Sequence, residues 1–150
     1  RKGATREQIV EAARKVKEAG ITLSVTVLLG IGGVEKSMEH ARDTARILTD
    51  VDPDFAGVLT VMIAPDTPLD EEARAGTFVL PGTFDLLREL RIIVSNSRFS
   101  NCFFTANHAS NYLPIRGRMP RDQEKIVRLI DEVVRRGDAS VLRPESMRGL

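Results

Sequence analysis

Cysteine, aromatic side chains and long apolar runs are all scarce in this chain of 150 residues. A single cysteine, Cys102, excludes a disulfide framework and any metal site built from cysteines alone within this chain. No apolar run approaches the length of a membrane-spanning helix. A formal net charge of +1 gives no reason to predict binding to nucleic acid or to a membrane surface. We therefore expect a cytoplasmic globular protein without a membrane partner.

What the chain does have is a strand, predicted over residues 22–30, in which apolar and hydroxyl side chains alternate. Thr22, Ser24 and Thr26 form its hydroxyl face. The strand runs into residues 30–33, a turn made of three glycines and one isoleucine. In α/β folds, ligands bind at the carboxyl ends of the strands. This end of the strand is therefore a candidate binding site.

Helical and strand patterns alternate along the rest of the chain. We predict helices over residues 5–19, 35–49, 83–96 and 120–136, strands over 55–63 and 101–105, and a short helical turn and loop within 70–82. Residues 138–150 are expected to be loose. The first helix carries an apolar stripe but has no strand before it to cover that stripe. For that reason we expect the chain to be a fragment of a longer protein.

The element order predicts the fold class. Strands separated by helices pair in parallel through right-handed crossovers, giving either a parallel sheet or an arc of a (β/α) barrel. A Rossmann-type sheet is covered on both faces, so a hydroxyl face favours the arc. We expect the same face of the second strand to carry Ala56, Val58, Thr60, Met62 and Ala64. Residues 1–105 would form the barrel half, and residues 106–150 a C-terminal helical extension.

Four chemical signals have competing explanations. Residues 30–37 superficially resemble a phosphate-binding loop, but Glu35 stands where that loop needs glycine before the lysine. His40 is expected to face water. His108 fits a binding-loop histidine and a structural, hydrogen-bonding histidine equally well. The basic residues at 116, 118 and 121 suit a solvated surface, with an anion clamp as the alternative.

Residues 19–33 and 61–69 together resemble the second half of a radical S-adenosylmethionine (SAM) enzyme. The similarity is to the branch that contains oxygen-independent coproporphyrinogen oxidase and the MiaB-type enzymes. In that branch the fifth barrel strand ends in a glycine-rich turn, and a Pro-Gly-Thr-Pro-Leu turn follows the sixth strand. Asp66 replaces the glycine of that second turn here. Residues 105–117 resemble a segment found in the same branch.

The resemblance implies a partial (β/α)6 barrel, a [4Fe–4S] cluster on an upstream Cys-x3-Cys-x2-Cys loop, and SAM on the cluster. It places Thr26 at the ribose, Gly30 at the glycine turn, and the end of the next strand beside the adenine, at Thr60, Met62 and Ala64. His108 and Asn111 would lie on the substrate side.

The three-cysteine motif is absent from this chain, so we expect the isolated chain to be catalytically inactive, with neither SAM nor a cluster bound to it alone. The parent would be an iron–sulfur oxidoreductase. Its N-terminal half would be the partner of this chain, and the exposed barrel edge could also pair with a second copy. The alternative is a stand-alone α/β nucleotide-binding or protein-interaction module without catalysis.

Overall fold

The computed structural model describes residues 3–149. Its strands are β1 (Ser24–Leu29), β2 (Phe55–Thr60), β3 (Cys102–Thr105) and β4 (Arg116–Met119). Its α-helices are α1 (Arg6–Glu18), α2 (Gly33–Val51), α3 (Pro68–Arg74), α4 (Thr83–Asn96) and α5 (Gln123–Arg136). Two short 3₁₀ helices follow, at Ala139–Val141 and Glu145–Met147.

The strands form one sheet in the order β1-β2-β3-β4. β1, β2 and β3 are parallel, whereas β4 runs antiparallel to β3. The predicted α/β class, with strands alternating with helices, is confirmed in this form: an open, mostly parallel sheet. β4, which comes from the segment predicted as an extension, belongs to the same sheet as the earlier strands.

The apolar core lies between one face of the sheet and the helices α2, α4 and α5. We call this the covered face; Val27, Val58 and Phe104 lie on it. Ile93 and Ile130 are fully buried against it from α4 and α5. Burial of one such side chain contributes about 1.5–3 kcal/mol, so the packing of the helices on this face is the main source of stability.

Sequence signals located most helix ends correctly. Thr5 caps α1 through a capping box with Gln8, and Gly137 ends α5 in the left-handed conformation. α4 begins and ends where it was predicted. α2 runs two residues further at each end than predicted, and Asp52, at φ 43°, ends it.

Three predictions, two of them in the C-terminal part, are wrong. The helix expected from residue 120 begins at Gln123, because residues 116–119 form β4 and Pro120 lies in the turn after it. The second strand ends at Thr60 instead of residue 63, because β1, its remaining partner, ends at Leu29, directly opposite Thr60. The tail is held down: Arg143 donates to the carbonyl oxygens of three residues in the loop 108–111.

Candidate functional site

The face of the sheet opposite the helices is uncovered, and we call it the open face. It consists of the alternate strand residues that point away from the core: Ser24, Thr26, Leu28, Phe55, Gly57, Leu59, Phe103, Thr105, Arg116 and Arg118. Ser24 and Thr26 are exposed. The predicted hydroxyl face of the first strand is therefore exposed to solvent.

The second strand presents a different set of residues from the one expected. Ser24 lies opposite Phe55, and Thr26 lies opposite Gly57. The expectation that Ala56, Val58 and Thr60 share the hydroxyl face is wrong, because the parallel register places all three on the covered face. A shift of one residue in register exchanges the two faces of a strand, and the sequence pattern alone does not fix that register.

The glycine turn after β1 is held by a buried carboxylate. Glu89 of α4 is fully buried and accepts hydrogen bonds from the backbone N–H of Gly30 at 3.0 Å and from the Ser37 hydroxyl at 2.7 Å. His40 Nδ1 lies 2.8 Å from the same carboxylate. The prediction that His40 faces water is wrong, since its side chain is only 23% exposed and is bound to Glu89. This cluster fixes the turn to the helix layer.

The glycines of that turn let other side chains of the protein pack directly against its backbone. Gly30 has φ +82°, and a Cβ on it would lie 2.9 Å from the Leu86 side chain. A Cβ on Gly33, at φ +61°, would lie 3.3 Å from the Phe78 ring. The space beside these glycines is therefore filled by the protein's own side chains, which explains the glycines without a bound ligand.

Side chains from the loop after β3 complete the edge of β2. Thr60 N–H donates to Ser110 Oγ at 3.1 Å, and Thr60 Oγ1 donates to Asn111 Oδ1 at 2.9 Å. Asn111 Nδ2 donates to the Val58 carbonyl at 2.7 Å. β3 pairs with β2 only as far as Gly57, so these bonds satisfy the backbone groups of Val58 and Thr60 that β3 does not reach. Thr60 and Asn111, two of the predicted site residues, are thus buried and bonded to each other.

His108 lies next to this edge. Its Nδ1 accepts the Ser110 N–H at 3.2 Å and lies 2.9 Å from Ser110 Oγ. Since Ser110 Oγ already accepts the Thr60 N–H, its own proton is directed to His108 Nδ1. The neutral ring therefore carries its proton on Nε2. These bonds are those of a structural histidine, and among residues 3–149 its Nε2 has no hydrogen-bond partner.

The turn after β2 begins with Met62 and Ala64, which are half-buried. The Ala64 carbonyl accepts a hydrogen bond from Thr67, which also caps α3. Asp66 has φ +58°, in the left-handed region that glycine adopts most easily and aspartate tolerates.

A row of four residues crosses the open face, through the middle of β1 and β2 and the carboxyl end of β3. Thr26 lies opposite Gly57, Gly57 opposite Thr105, and Thr105 opposite Arg116. Sequence reasoning identified Thr26 and the arginine but missed Gly57 and Thr105, because the strand register that aligns them is a tertiary feature.

Two other features are less suited to bind a ligand. A groove of about 810 Å³ runs along α2 and is lined by Arg6, Lys36 and Arg46 together with Glu39 and Asp43. Its charges largely neutralise one another, since Arg46 pairs with Asp43. Arg121, the third of the predicted basic residues, pairs with Asp122 and keeps the pKa of that carboxyl low, at about 2.

Cys102, the single cysteine of the chain, is the residue to examine as a ligand of a [4Fe–4S] cluster. Cys102 lies in β3 with no exposed surface, and burial raises the pKa of its thiol to about 11. A thiolate is required to bind iron, so Cys102 does not fit a [4Fe–4S] cluster. Among residues 3–149, no group of three or more histidine, cysteine or acidic side chains is placed to hold a metal ion.

Comparison of the chain with protein-family models, with curated proteins and with solved structures returned no match. No helix in the described part of the chain is both long enough and apolar enough to cross a membrane.

Proposed function

We propose that this chain forms the C-terminal half of the partial (β/α)6 barrel of a radical SAM enzyme, with the open face as the inner wall of the barrel. The observation that carries this proposal is that all three large core helices pack on one face of the sheet, while the other face bears hydroxyls and stays uncovered.

The strand order supports a barrel over a doubly wound sheet. β1, β2 and β3 lie side by side in the order in which they occur in the chain. Right-handed crossovers that always step in the same direction place every helix on the same face, which is how barrels are built. A doubly wound sheet reverses its direction at a switch point and therefore has helices on both faces.

The free edge of the sheet supports the proposal that the N-terminal half of the same protein pairs with this chain. β1 is the outermost strand, and it pairs with β2 on its inner side. Ile21 and Leu28 remain exposed at this end of the sheet. An uncovered edge strand is a template for another strand. In our proposal the N-terminal half of the same protein supplies that strand, and a second copy of the chain is the competing partner.

The residues of this chain would bind and orient SAM, since the cluster would be held by the N-terminal half of the parent protein. Reductive cleavage of SAM on a [4Fe–4S] cluster supplies a 5′-deoxyadenosyl radical that abstracts hydrogen from a substrate. The exposed Thr26 hydroxyl fits a ribose contact on the open face, as the acceptor of a ribose O–H. Met62 and Ala64 would contribute the backbone around it, and Gly30 would act indirectly, by holding the turn after β1 through its bond to Glu89. Thr60 would act through Asn111, by holding the end of β2 in place.

The test uses the full-length protein encoded by the complete reading frame that contains this chain. We expect the protein purified without oxygen to produce 5′-deoxyadenosine from SAM when it is reduced, and Thr26→Val to raise the KM for SAM about five- to tenfold by removing one hydrogen bond. Thr22→Val is the matched control, because Thr22 is exposed and lies further from the carboxyl end of β1.

Residues 1–150 alone are expected to produce no 5′-deoxyadenosine under the same conditions. Absence of SAM cleavage by the complete reading frame would contradict the proposal. Equal effects of Thr26→Val and Thr22→Val would contradict the role of Thr26.

A protein-interaction module is the second candidate, and the free edge of β1 is the observation that favours it. It predicts that residues 1–150 dimerise with rising concentration and that proline at Leu28, whose backbone N–H is directed to the free edge of β1, prevents the dimer. Sedimentation velocity measures this. If the complete reading frame is monomeric and cleaves SAM, the edge is filled within the protein.

A further inference from the structure

The open face has an excess of positive charge, although Asp122, paired with Arg121, lines the same groove as Arg116 and Arg118. Arg116 and Arg118 of β4 both lie on it, and none of the described strand residues on this face is acidic. The whole chain has almost equal numbers of basic and acidic residues, with 22 and 21. The charge of this face is therefore a local feature, and it favours an anion.

The row that runs across the sheet from Thr26 to Arg116 contains three side chains that are free to donate hydrogen bonds to an anion. Within residues 3–149, the side chains of Thr26, Thr105 and Arg116 have no hydrogen-bond or salt-bridge partner, whereas Arg118 bonds to Asn101. Arg118 also lies over the Phe103 ring, at 5.6 Å from its centroid. Arg116 is thus the unengaged arginine on this face.

Gly57 gives the row its shape. A Cβ placed on Gly57 would lie 3.8 Å from Thr26 Oγ1 and 4.0 Å from Thr105 Oγ1. The two hydroxyls therefore flank the same point above the sheet, and no side chain fills the space between them. At this glycine, in contrast to Gly30 and Gly33, the bare backbone faces the open side.

Two aromatic rings lie on the adjacent row. Phe55 and Phe103 are directly opposite each other on β2 and β3, with ring centroids 6.2 Å apart in an edge-to-face arrangement. Phe55 is 44% exposed, which is unusual for a large apolar side chain in the middle strands of a sheet. An exposed ring next to free donors fits a flat apolar or aromatic group attached to the anion.

We propose that Thr26, Gly57, Thr105 and Arg116 form an anion subsite for a substrate that carries a phosphate or carboxylate beside an aromatic or flat apolar group. The guanidinium of Arg116 pairs with the anion and the two threonine hydroxyls donate to it. Phe55 packs against the body of the substrate. The assignment of this ligand as a substrate rests on the proposed radical SAM function.

The binding itself is tested without SAM or a cluster, by following backbone amide signals of ¹⁵N-labelled residues 1–150 by NMR during titration with inorganic phosphate, phenyl phosphate and phenylacetate. We expect saturable shifts at Thr26, Gly57 and Thr105. Arg116→Gln should weaken phosphate binding about tenfold or more through loss of a charge-assisted bond, whereas Arg116→Lys keeps part of it. Arg135→Gln, an exposed arginine on α5, is the control.

The phenyl probes test the second part of the proposal. Phenyl phosphate should bind about two- to tenfold more tightly than inorganic phosphate, and Phe55→Leu should remove that difference. The stronger of the two phenyl probes identifies the anion as phosphate or carboxylate.

Absence of saturable shifts, or equal binding by Arg116→Gln and the wild type, would overturn the proposal and leave the arginines as charges that protect an edge strand. Anion binding by a chain whose complete reading frame does not cleave SAM would contradict the proposed function and leave the subsite intact. SAM cleavage without anion binding would support the proposed function and overturn the anion subsite.

Discussion

Glu89→Leu is expected to destabilise the chain more than any change at a neighbouring surface position. The carboxylate serves three groups, the Gly30 N–H, the Ser37 hydroxyl and His40 Nδ1. His40 is 23% exposed and can turn toward water, but Gly30 and Ser37 are buried and would lose their partner. A buried donor left without a partner costs about 1–3 kcal/mol, so two of them cost about 2–6 kcal/mol.

Part of this loss is recovered, because leucine itself gains about 1.5–3 kcal/mol from burial at a site with no exposed surface. The midpoints of these two ranges, about 4 and about 2 kcal/mol, leave a net loss of roughly 2 kcal/mol. Glu89→Gln keeps the shape and one acceptor oxygen, so it should lose about 1–2 kcal/mol. A domain of this size has a stability of about 5–15 kcal/mol, which leaves both variants measurable.

Urea denaturation followed by far-ultraviolet circular dichroism measures these free energies of unfolding. Arg88→Leu is the control, because Arg88 is the adjacent residue on α4 and makes an exposed pair with Asp85 that is worth about 0.2–1 kcal/mol. If Glu89→Leu is as stable as Arg88→Leu, the carboxylate does not hold the turn after β1 and the reasoning fails.

Three further predictions concern packing and burial. Gly117→Ala should cost about 1–3 kcal/mol, since its Cβ would lie 2.9 Å from Ile126 Cδ1, whereas Gly57→Ala meets nothing closer than 3.8 Å and should be neutral or slightly stabilising by thermal unfolding. Cys102 should resist a thiol reagent at pH 8 until the chain unfolds; folding raises its pKa from 9.0 to about 11, so the stability linked to this thiol is present below pH 9 and is lost as the pH rises toward 11. Rapid labelling of the native chain would show that β3 is accessible. Asn111→Ala should cost about 2–4 kcal/mol and speed amide exchange at the end of β2, and slow exchange in that variant would mean that the bond to Val58 is dispensable.

The sequence predicted the parts of the fold that depend on local signals. Caps such as Thr5 and Gly137 act within one turn of a helix, so they located helix ends well. The alternation in β1 predicted which of its side chains would be exposed. β4 was missed because Arg116–Met119 has only one buried apolar residue and no strand pattern. Its pairing with β3 supplies what its own residues do not.

The candidate site was predicted less well, because it depends on register and on polar groups directed into the core. Gly57 and Thr105 join the row only through the pairing of β2 with β1 and β3. For Glu89 a signal was present: it lies three residues after Leu86 and four before Ile93, on the apolar stripe of α4. A carboxylate in such a stripe requires partners, and Ser37 and His40 are two of them.

The central claim is that the open face is the inner wall of a radical SAM barrel, and the most direct measurement is to sequence the coding DNA upstream of Arg1 in the same reading frame. The account predicts a Cys-x3-Cys-x2-Cys motif preceding this chain, followed by strands that extend the sheet beyond β1. A start codon at or near Arg1, with no such motif upstream, would contradict it.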